Sequence, residues 1–572
     1  MSFTGRKKWG VALAVAVAAS AMATTTQAAP KPSVKPKQGG EIAYGIDATI
    51  SGWCFSNALS GGPLGATRLV YESLVDRDSK GNFVGQLAES WSSDASGKVW
   101  TFKLRPNIKY SNGETFDSTS VKQNMDIGRG DTTAKGWNAK FASTGVGVNA
   151  NIMKIEAPDP LTVVITLERS DFDFIGLMYR AGRYVMRAPA QIADQPTCST
   201  NGIGTGPYKI VSYNPNELVV ERNPLYWQKD KYGTQLPYLN KITVVVVKEA
   251  SQRAAAVRKG ALDAAFFGIG DATFVKDLEK RKSVVTMYKG NLGSWGQWLP
   301  NQNKTGSPFK FQNCRLAASY AVDWNQYNKV RFKGLGTYSG SIVGKDHVMF
   351  STAGAPGYNL AKAKEYVAAC QKDLGTTPFK ITLYADTSSQ SLNNVKEVQR
   401  QMELAGIQFN PIFQAESAVL ISNIYSPKAN AYDFAEGTPA EGPGSGYVLP
   451  FFITQAFPAT STNPIAKGYG SNAAYGKVIA IGNHSDTKID DLLYAAQGEP
   501  DAKLRKQKFA AATDYIMSSG MAIPTIHGYT ISFVNNKSKL TGMTSYVNPD
   551  GKGIVSSVDI KGIAWAGVWQ NK

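Results

Sequence analysis

Tyr71-Glu72-Ser73-Leu74-Val75, then Leu87-Ala88-Glu89-Ser90-Trp91, then Thr101-Phe102-Lys103-Leu104-Arg105 stand in that order near the start of the chain, with Gly113 downstream. Each block has a plain physical reading. Residues 64–75 have helical apolar spacing, Leu87 and Trp91 are four apart and can share a helix face, and residues 99–104 alternate as a half-buried strand. Ser111-Asn112-Gly113 supplies a turn. Working outward, residues 41–46 read as a short strand ending in a polar, Gly-rich loop, 47–62, that carries Trp53 and Cys54. Short strands and helices alternate through 152–167 and 207–222, and residues 244–247 read as a buried strand. A mixed α/β architecture follows.

A second mixed region begins after residues 293–300, where Trp295 and Trp298 sit among Gly and Pro. Helices are expected at 315–332, 360–374 (with Gly375 as its C-cap) and 393–405, and a strand at 380–384. Residues 437–450 form a Gly/Pro loop with one acid, Glu441, and include Tyr447. A helix at 501–517 is followed by Ile523-Pro524 and a last set of strands. No internal repeat is visible. A chain of 572 residues exceeds what one hydrophobic core usually supports, so two or more lobes are expected.

The N-terminus reads as a secretory signal over residues 1–28: Arg6, Lys7 and Lys8 precede an apolar run, and Thr26-Gln27-Ala28 offers small residues for cleavage. Cleavage is expected after Ala28, because Pro30 would directly follow a cut after Ala29. Residues 29–40, rich in Pro, Lys and Gly, should form a flexible basic leader. No cysteine lies near the cleavage position, so no lipid anchor is expected, and the protein is placed in the periplasm or extracytoplasmic space. No later segment approaches the length of a membrane-spanning helix. The formal net charge of +18 is strongly basic, yet Lys and Arg are dispersed and no nucleic-acid motif accompanies them. A solvated surface suited to an anionic envelope accounts for it. Four cysteines in an exported chain, Cys54, Cys198, Cys314 and Cys370, suggest two disulfides in one of three pairings rather than a metal site.

Catalytic patterns are missing from the sequence. The three histidines, His347, His484 and His527, have no zinc-binding spacing, and there is neither a Gly-x-Ser-x-Gly nucleophile turn nor a phosphate-binding Gly-Lys-Ser/Thr loop. No metal, cofactor or enzymatic activity is expected.

Further strings continue the opening run: Gly204-Thr205-Gly206-Pro207-Tyr208, Arg222-Asn223-Pro224-Leu225-Tyr226-Trp227, Lys259-Gly260-Ala261-Leu262-Asp263, and Pro308-Phe309 with Cys314-Arg315 through Ala321-Val322-Asp323. In this order and spacing, over residues 39–572, the chain resembles extracytoplasmic solute-binding protein family 5, the peptide and nickel class of ABC-importer receptors. The resemblance implies a two-lobed periplasmic-binding-protein (Venus-flytrap) fold of α/β class, with mixed sheets, an enlarged N-terminal lobe and two interlobe crossings. Lobe I would span 41–298 and 524–572, lobe II 299–523, and the crossings would fall near 295–301 and 522–527. A bridge between lobes would oppose hinge motion, so this division implies Cys54 with Cys198 and Cys314 with Cys370.

Ligand would then sit between the lobes. In peptide-binding members a Gly-Trp-x-x-Asp loop of the second lobe holds the peptide's α-ammonium. The corresponding string here, after Tyr432-Asp433-Phe434, is Gly437-Thr438-Pro439-Ala440-Glu441, with Thr438 in place of the aromatic residue and Glu441 as the carboxylate. Trp53, Trp295, Trp298 and Tyr447 are candidate aromatic contacts, and Arg180 and Arg183 candidate partners for a ligand carboxylate. The expected function is reversible capture of short peptides or peptide-like solutes by a monomer that delivers them to ABC permease subunits. A sugar, opine, metal chelate, haem or anionic aromatic acid is the alternative cargo of the same fold, and a secreted hydrolase or a surface adhesin the readings from other classes.

Overall fold

The computed structural model describes residues 35–54, 62–78, 81–131, 133–134, 149, 151–179, 184–194, 198–375, 379–386, 389–414, 432–437, 444–453, 484–543, 545–547, 554–556, 558–559 and 562–571. Among these, two large sheets organise the chain. A seven-stranded sheet runs in the order Val285–Ser294, Gly528–Asn535, Ala264–Phe267, Glu41–Ile46, Lys241–Val246, Glu217–Arg222, Tyr208–Asn214. Glu41–Ile46 pairs in parallel with both of its neighbours, and the outer pairings are antiparallel, so the sheet is mixed. Successive strand residues point to opposite faces. Accordingly Ala264 and Phe266 enter one apolar cluster with Tyr44, while Ala265 and Phe267 enter another with Phe533.

A second, five-stranded sheet has the order Gln408–Gln414, Lys380–Asp386, Phe434–Gly437, Gln297–Pro300, Ile523–Pro524. It too is buried on both faces: Trp298, Phe434 and Ile381 join one cluster, Leu299 and Tyr432 the other. The chain leaves the seven-stranded sheet at Ser294 and enters the five-stranded sheet at Gln297; it leaves the latter at Pro524 and rejoins the former at Gly528. These two crossings lie side by side, because Ser294 pairs with Gly528 and Gln297 with Pro524. The molecule is thus a mixed α/β protein of two lobes joined by adjacent connections.

An antiparallel four-stranded sheet, Ala88–Ser93, Val99–Leu104, Thr162–Leu167, Ile152–Asp159, carries the helix Ser118–Arg129. That helix starts where Asp117 and Ser120 cap each other reciprocally and stops at Gly130, whose φ of 88° is left-handed. Here the sequence expectation needs correction: Leu87 and Trp91 share no helix, since residues 88–93 form a strand paired with Val99–Leu104. Asp94 decides it by accepting the amides of Lys98 and Val99, which closes a hairpin. One i,i+4 apolar pair does not outweigh a full hydrogen-bonded ladder. The helix read over 64–75 ends at Val70. The helix read over 315–332 is two helices, Gln312–Ala321 and Trp324–Phe332, because Val322 is extended and the Asp323 side chain caps the second. Leu360–Leu374 runs as expected, with Gly375 at its end at a φ of 61°.

Glu72 of the opening block draws two of the later strings together. Glu72, buried in the first lobe, accepts from Trp227 Nε1 (2.8 Å), Thr205 Oγ1 (2.9 Å), Tyr226 Oη (3.1 Å) and Gln228 Nε2 (3.3 Å). Burial pushes its carboxyl up to about 7 while these donors pull it down. Two disulfides, Cys54–Cys198 and Cys314–Cys370, each staple one lobe and neither bridges the two, in the pairing implied by the resemblance.

Candidate functional site

The place where two lobes can hold a guest is fixed by the crossings. Trp295, in the first crossing, is 4% exposed; its ring meets His347 edge to face at 4.8 Å, and Gly344 approaches so closely that a Cβ there would fall 2.3 Å from the indole Nε1. It therefore belongs to the packing that anchors the second lobe at the junction. Gln297, two residues on, pairs with Gly437 on one side and Pro524 on the other. Trp298 packs inward against Trp324 (5.2 Å) and Phe434 (5.3 Å). Trp53 lies in the first lobe against Tyr71 and Tyr213, and its carbonyl accepts from Arg187 Nε (2.9 Å) and Gln191 Nε2 (3.1 Å). The three tryptophans are thus buried in three separate packing environments and are not brought together.

Gly437 ends its strand beside Gln297, and Tyr447 closes the short 3-10 turn Ser445–Tyr447. Arg180, Arg183, Thr438 and Glu441 lie outside the described residues.

One set of contacts between the lobes is made by a segment of the first lobe that sequence reasoning passed over, Ser170-Asp171-Phe172-Asp173. Asp173 Oδ2 accepts both the amide and the hydroxyl of Ser445, the latter at 2.7 Å. Asp171 Oδ2 accepts from Gln497 Nε2 at 2.9 Å, and the Phe172 amide donates to the Gln497 carbonyl at 2.9 Å. Arg169 lies over the Tyr494 ring at 4.0 Å. Burial pushes Asp171 up to about 7, helped by the neighbouring Asp173 charge, and raises Asp173 as well. Behind this latch the helix Phe174–Tyr179 meets the second lobe with no side chain between backbones: a Cβ on Gly176 would stand 2.6 Å from Gly444 Cα. The only sequence signal for the latch was a pair of acids alternating with aromatics, which says nothing of which partners they reach.

Burial also settles the histidines. Desolvation pulls His347 down to about 3, with the nearby Arg77 charge adding to it, and pulls His484 and His527 down to about 4. All three are neutral near pH 7. No group of three or more metal-ligating side chains occurs among the described residues, and among them no helix is long and apolar enough to cross a membrane.

Residues 82–456 match the family model described as bacterial extracellular solute-binding proteins, family 5 middle. The glutathione-binding protein GsiB of Shigella flexneri is 26% identical over 488 residues, covering 84% of this chain and 86% of that one. Among solved structures, the ABC transporter-associated periplasmic binding protein DppA from Helicobacter pylori, in complex with the peptide STSA, superposes with a TM-score of 0.74 at 19% identity, over 94% of this chain and 99% of its own. The oligopeptide-binding protein AppA from Bacillus subtilis, in complex with a nonapeptide, does so with a TM-score of 0.71 at 17% identity, over 94% and 100%. At these identities the superpositions establish the shared two-lobed fold.

Proposed function

Because the chain belongs to the bacterial extracellular solute-binding proteins, family 5, we propose that it captures a short peptide or peptide-like solute between its lobes and delivers it, chemically unaltered, to the permease of an ABC importer. The observation that carries this reading is the pair of adjacent crossings, Ser294 to Gln297 and Pro524 to Gly528, which leaves each lobe intact while allowing one to rotate on the other. The lobes divide at these connections. Asp173 with Ser445 and Asp171 with Gln497 are the contacts that closure makes and opening breaks, so they supply part of the free energy by which a guest selects the closed form. The peptide preference is supported by the glutathione-binding relative and by the peptide-bound neighbours. Delivery as a soluble monomer, after removal of the signal over residues 1–28, completes the reading, and no enzymatic step is part of it.

Isothermal calorimetry with di- to pentapeptide pools and with glutathione tests it. Saturable heat with recovery of intact peptide is the expected result. No heat and no thermal shift with any of them overturns the peptide assignment, and cleaved product overturns the transport role. Glu441→Ala extends the test: if that carboxylate holds a peptide ammonium, affinity falls by about 2–5 kcal/mol, the cost of removing one partner of a buried charge pair.

A further inference from the structure

The seven-stranded sheet of the first lobe has two ends. Ser294 pairs with Gly528 at the end that carries the crossings, and Val285 pairs with Asn535 at the other. Three turns meet at that far end: residues 258–263 before the strand Ala264–Phe267, residues 280–284 before Val285–Ser294, and residues 536–539 after Gly528–Asn535. Two asparagines bind them together. Asn535 donates from Nδ2 to the Val257 carbonyl at 2.6 Å and from its amide to the Asp263 carbonyl at 2.8 Å. Asn536 donates from Nδ2 to the Lys282 carbonyl at 3.0 Å and from its amide to the Val284 carbonyl at 2.9 Å.

These turns are basic. They carry Arg258, Lys259, Lys280, Lys282, Lys537 and Lys539, all exposed except the half-buried Arg258. The acids beside them are already engaged: Asp263 accepts the Ala43 amide at 2.8 Å and the Ser538 hydroxyl at 2.5 Å, Asp277 pairs with Arg281 at 3.1 Å, and Glu279 with Lys276 at 2.8 Å. Arg258 and Lys280 also act on Asp277, so that carboxylate is outnumbered. Helix C-termini favour cations, which accounts for Arg258 and Lys259 at the end of Ala250–Lys259 and for Lys280 after Ala272–Glu279. No α-helix end explains Lys537 or Lys539, and Lys539 stands at a φ of 50°, a left-handed conformation that glycine adopts more readily. Like charges gathered in this way repel one another. The same end of the sheet carries the loop 223–240, between the paired strands Glu217–Arg222 and Lys241–Val246, and that loop exposes Leu225 and Tyr232 at 39% and 41%. A soluble polyanion gains nothing from an exposed leucine, whereas the boundary between lipid headgroups and acyl chains takes both residues favourably.

From this placement we infer that the far end of the first lobe's sheet is a docking surface for an anionic phospholipid membrane. The turns offer their cations to the phosphate headgroups, and Leu225 and Tyr232 supply the apolar contact. Attachment is peripheral, reversible and screened by salt. The eight-residue strand Gly528–Asn535 sets the crossings roughly 25 Å from this surface, so a docked molecule keeps its hinge free. The inference goes beyond the capture of a solute and does not depend on which solute is bound.

Co-sedimentation with vesicles tests it. The protein should pellet with mixed phosphatidylglycerol and phosphatidylcholine vesicles and not with phosphatidylcholine alone, and its partition should fall at least about tenfold as salt rises from about 50 mM to about 500 mM. The joint variant Lys259→Glu, Lys537→Glu, Lys539→Glu should lose at least about tenfold in partition. A control with the same change of charge at exposed positions of the second lobe, Lys364→Glu, Lys372→Glu, Lys503→Glu, should stay within about twofold of the wild type. Equal loss in the two variants makes the attraction one of net charge and overturns the surface, as does failure of the wild type to pellet with the anionic vesicles. The pair Leu225→Ser, Tyr232→Ser, which alters no charge, separates a bilayer from a soluble polymer. It should weaken vesicle partition about threefold and leave binding of soluble polyphosphate unchanged. Unchanged vesicle partition in that pair overturns the lipid assignment.

Discussion

Glu72 and Arg77 sit on the same short stretch of chain, and both are charged groups removed from water. Glu72 is met by four donors drawn from Thr205 and from Tyr226-Trp227-Gln228, whereas the Arg77 Nη1 and Nη2 atoms, over the Tyr179 ring, have no hydrogen-bond partner among the described residues. The difference separates two kinds of burial. A charge satisfied from within one lobe ties distant strings into a scaffold; Arg77 is held by its Nε on the Gly81 carbonyl and by the Tyr179 ring. Asp173 is a third kind, satisfied among the described residues from across the junction, by Ser445.

The contrast breaks first at Glu72. Glu72→Ala leaves buried donors without their acceptor, at about 1–3 kcal/mol each, and should destabilise the protein by about 3–5 kcal/mol in urea unfolding. A loss no greater than at an exposed position would show that Glu72 is no scaffold node. The pH profile sharpens the same point. A carboxyl raised to about 7 in the fold from an ordinary 4.5 contributes stability that is whole below about 4.5 and lost as pH rises through about 7. Wild type should therefore fall relative to Glu72→Gln over that window, by at most about 1.4 kcal/mol per pH unit. Taking the difference between the two proteins removes the opposite trend of the buried histidines, which penalise the fold as pH drops below about 6.5. Parallel profiles would contradict the assignment. Smaller again is Asp173→Ala, which should leave global stability nearly intact and weaken ligand affinity about tenfold, or about 1.4 kcal/mol, with scattering from the liganded protein shifted toward the open form. Unchanged affinity would reduce the Asp173–Ser445 contact to incidental packing.

Much of the architecture was legible because it rests on local signals. The strand Glu41–Ile46 and the helix Leu360–Leu374 follow from apolar spacing and a glycine stop, and the ordered strings carried the two-lobed fold. The strand at Ala88–Ser93 was misread because its pattern is not alternating: Glu89 and Ser90 are both exposed, and the strand exists through its partner Val99–Leu104. The break at Val322 was hidden by continuous helical spacing on both sides. At the junction the sequence names residue types without their solvation. Tryptophans expected as ligand contacts are found packed in cores, and the buried Arg77 and Gln297 look in one dimension like a surface charge and a polar strand residue. Burial, and the presence or absence of a partner, arises only from tertiary packing.

The Gly176–Gly444 contact has a mechanical corollary. Where side chains meet, rotamers can yield and a joint settles through a range of angles; two main chains pressed together at glycine have nothing to rotate away. A single methyl group at either position would act as a chock, holding the halves ajar. At this point the two halves are therefore either seated backbone on backbone or apart, with no side chain to cushion an intermediate fit.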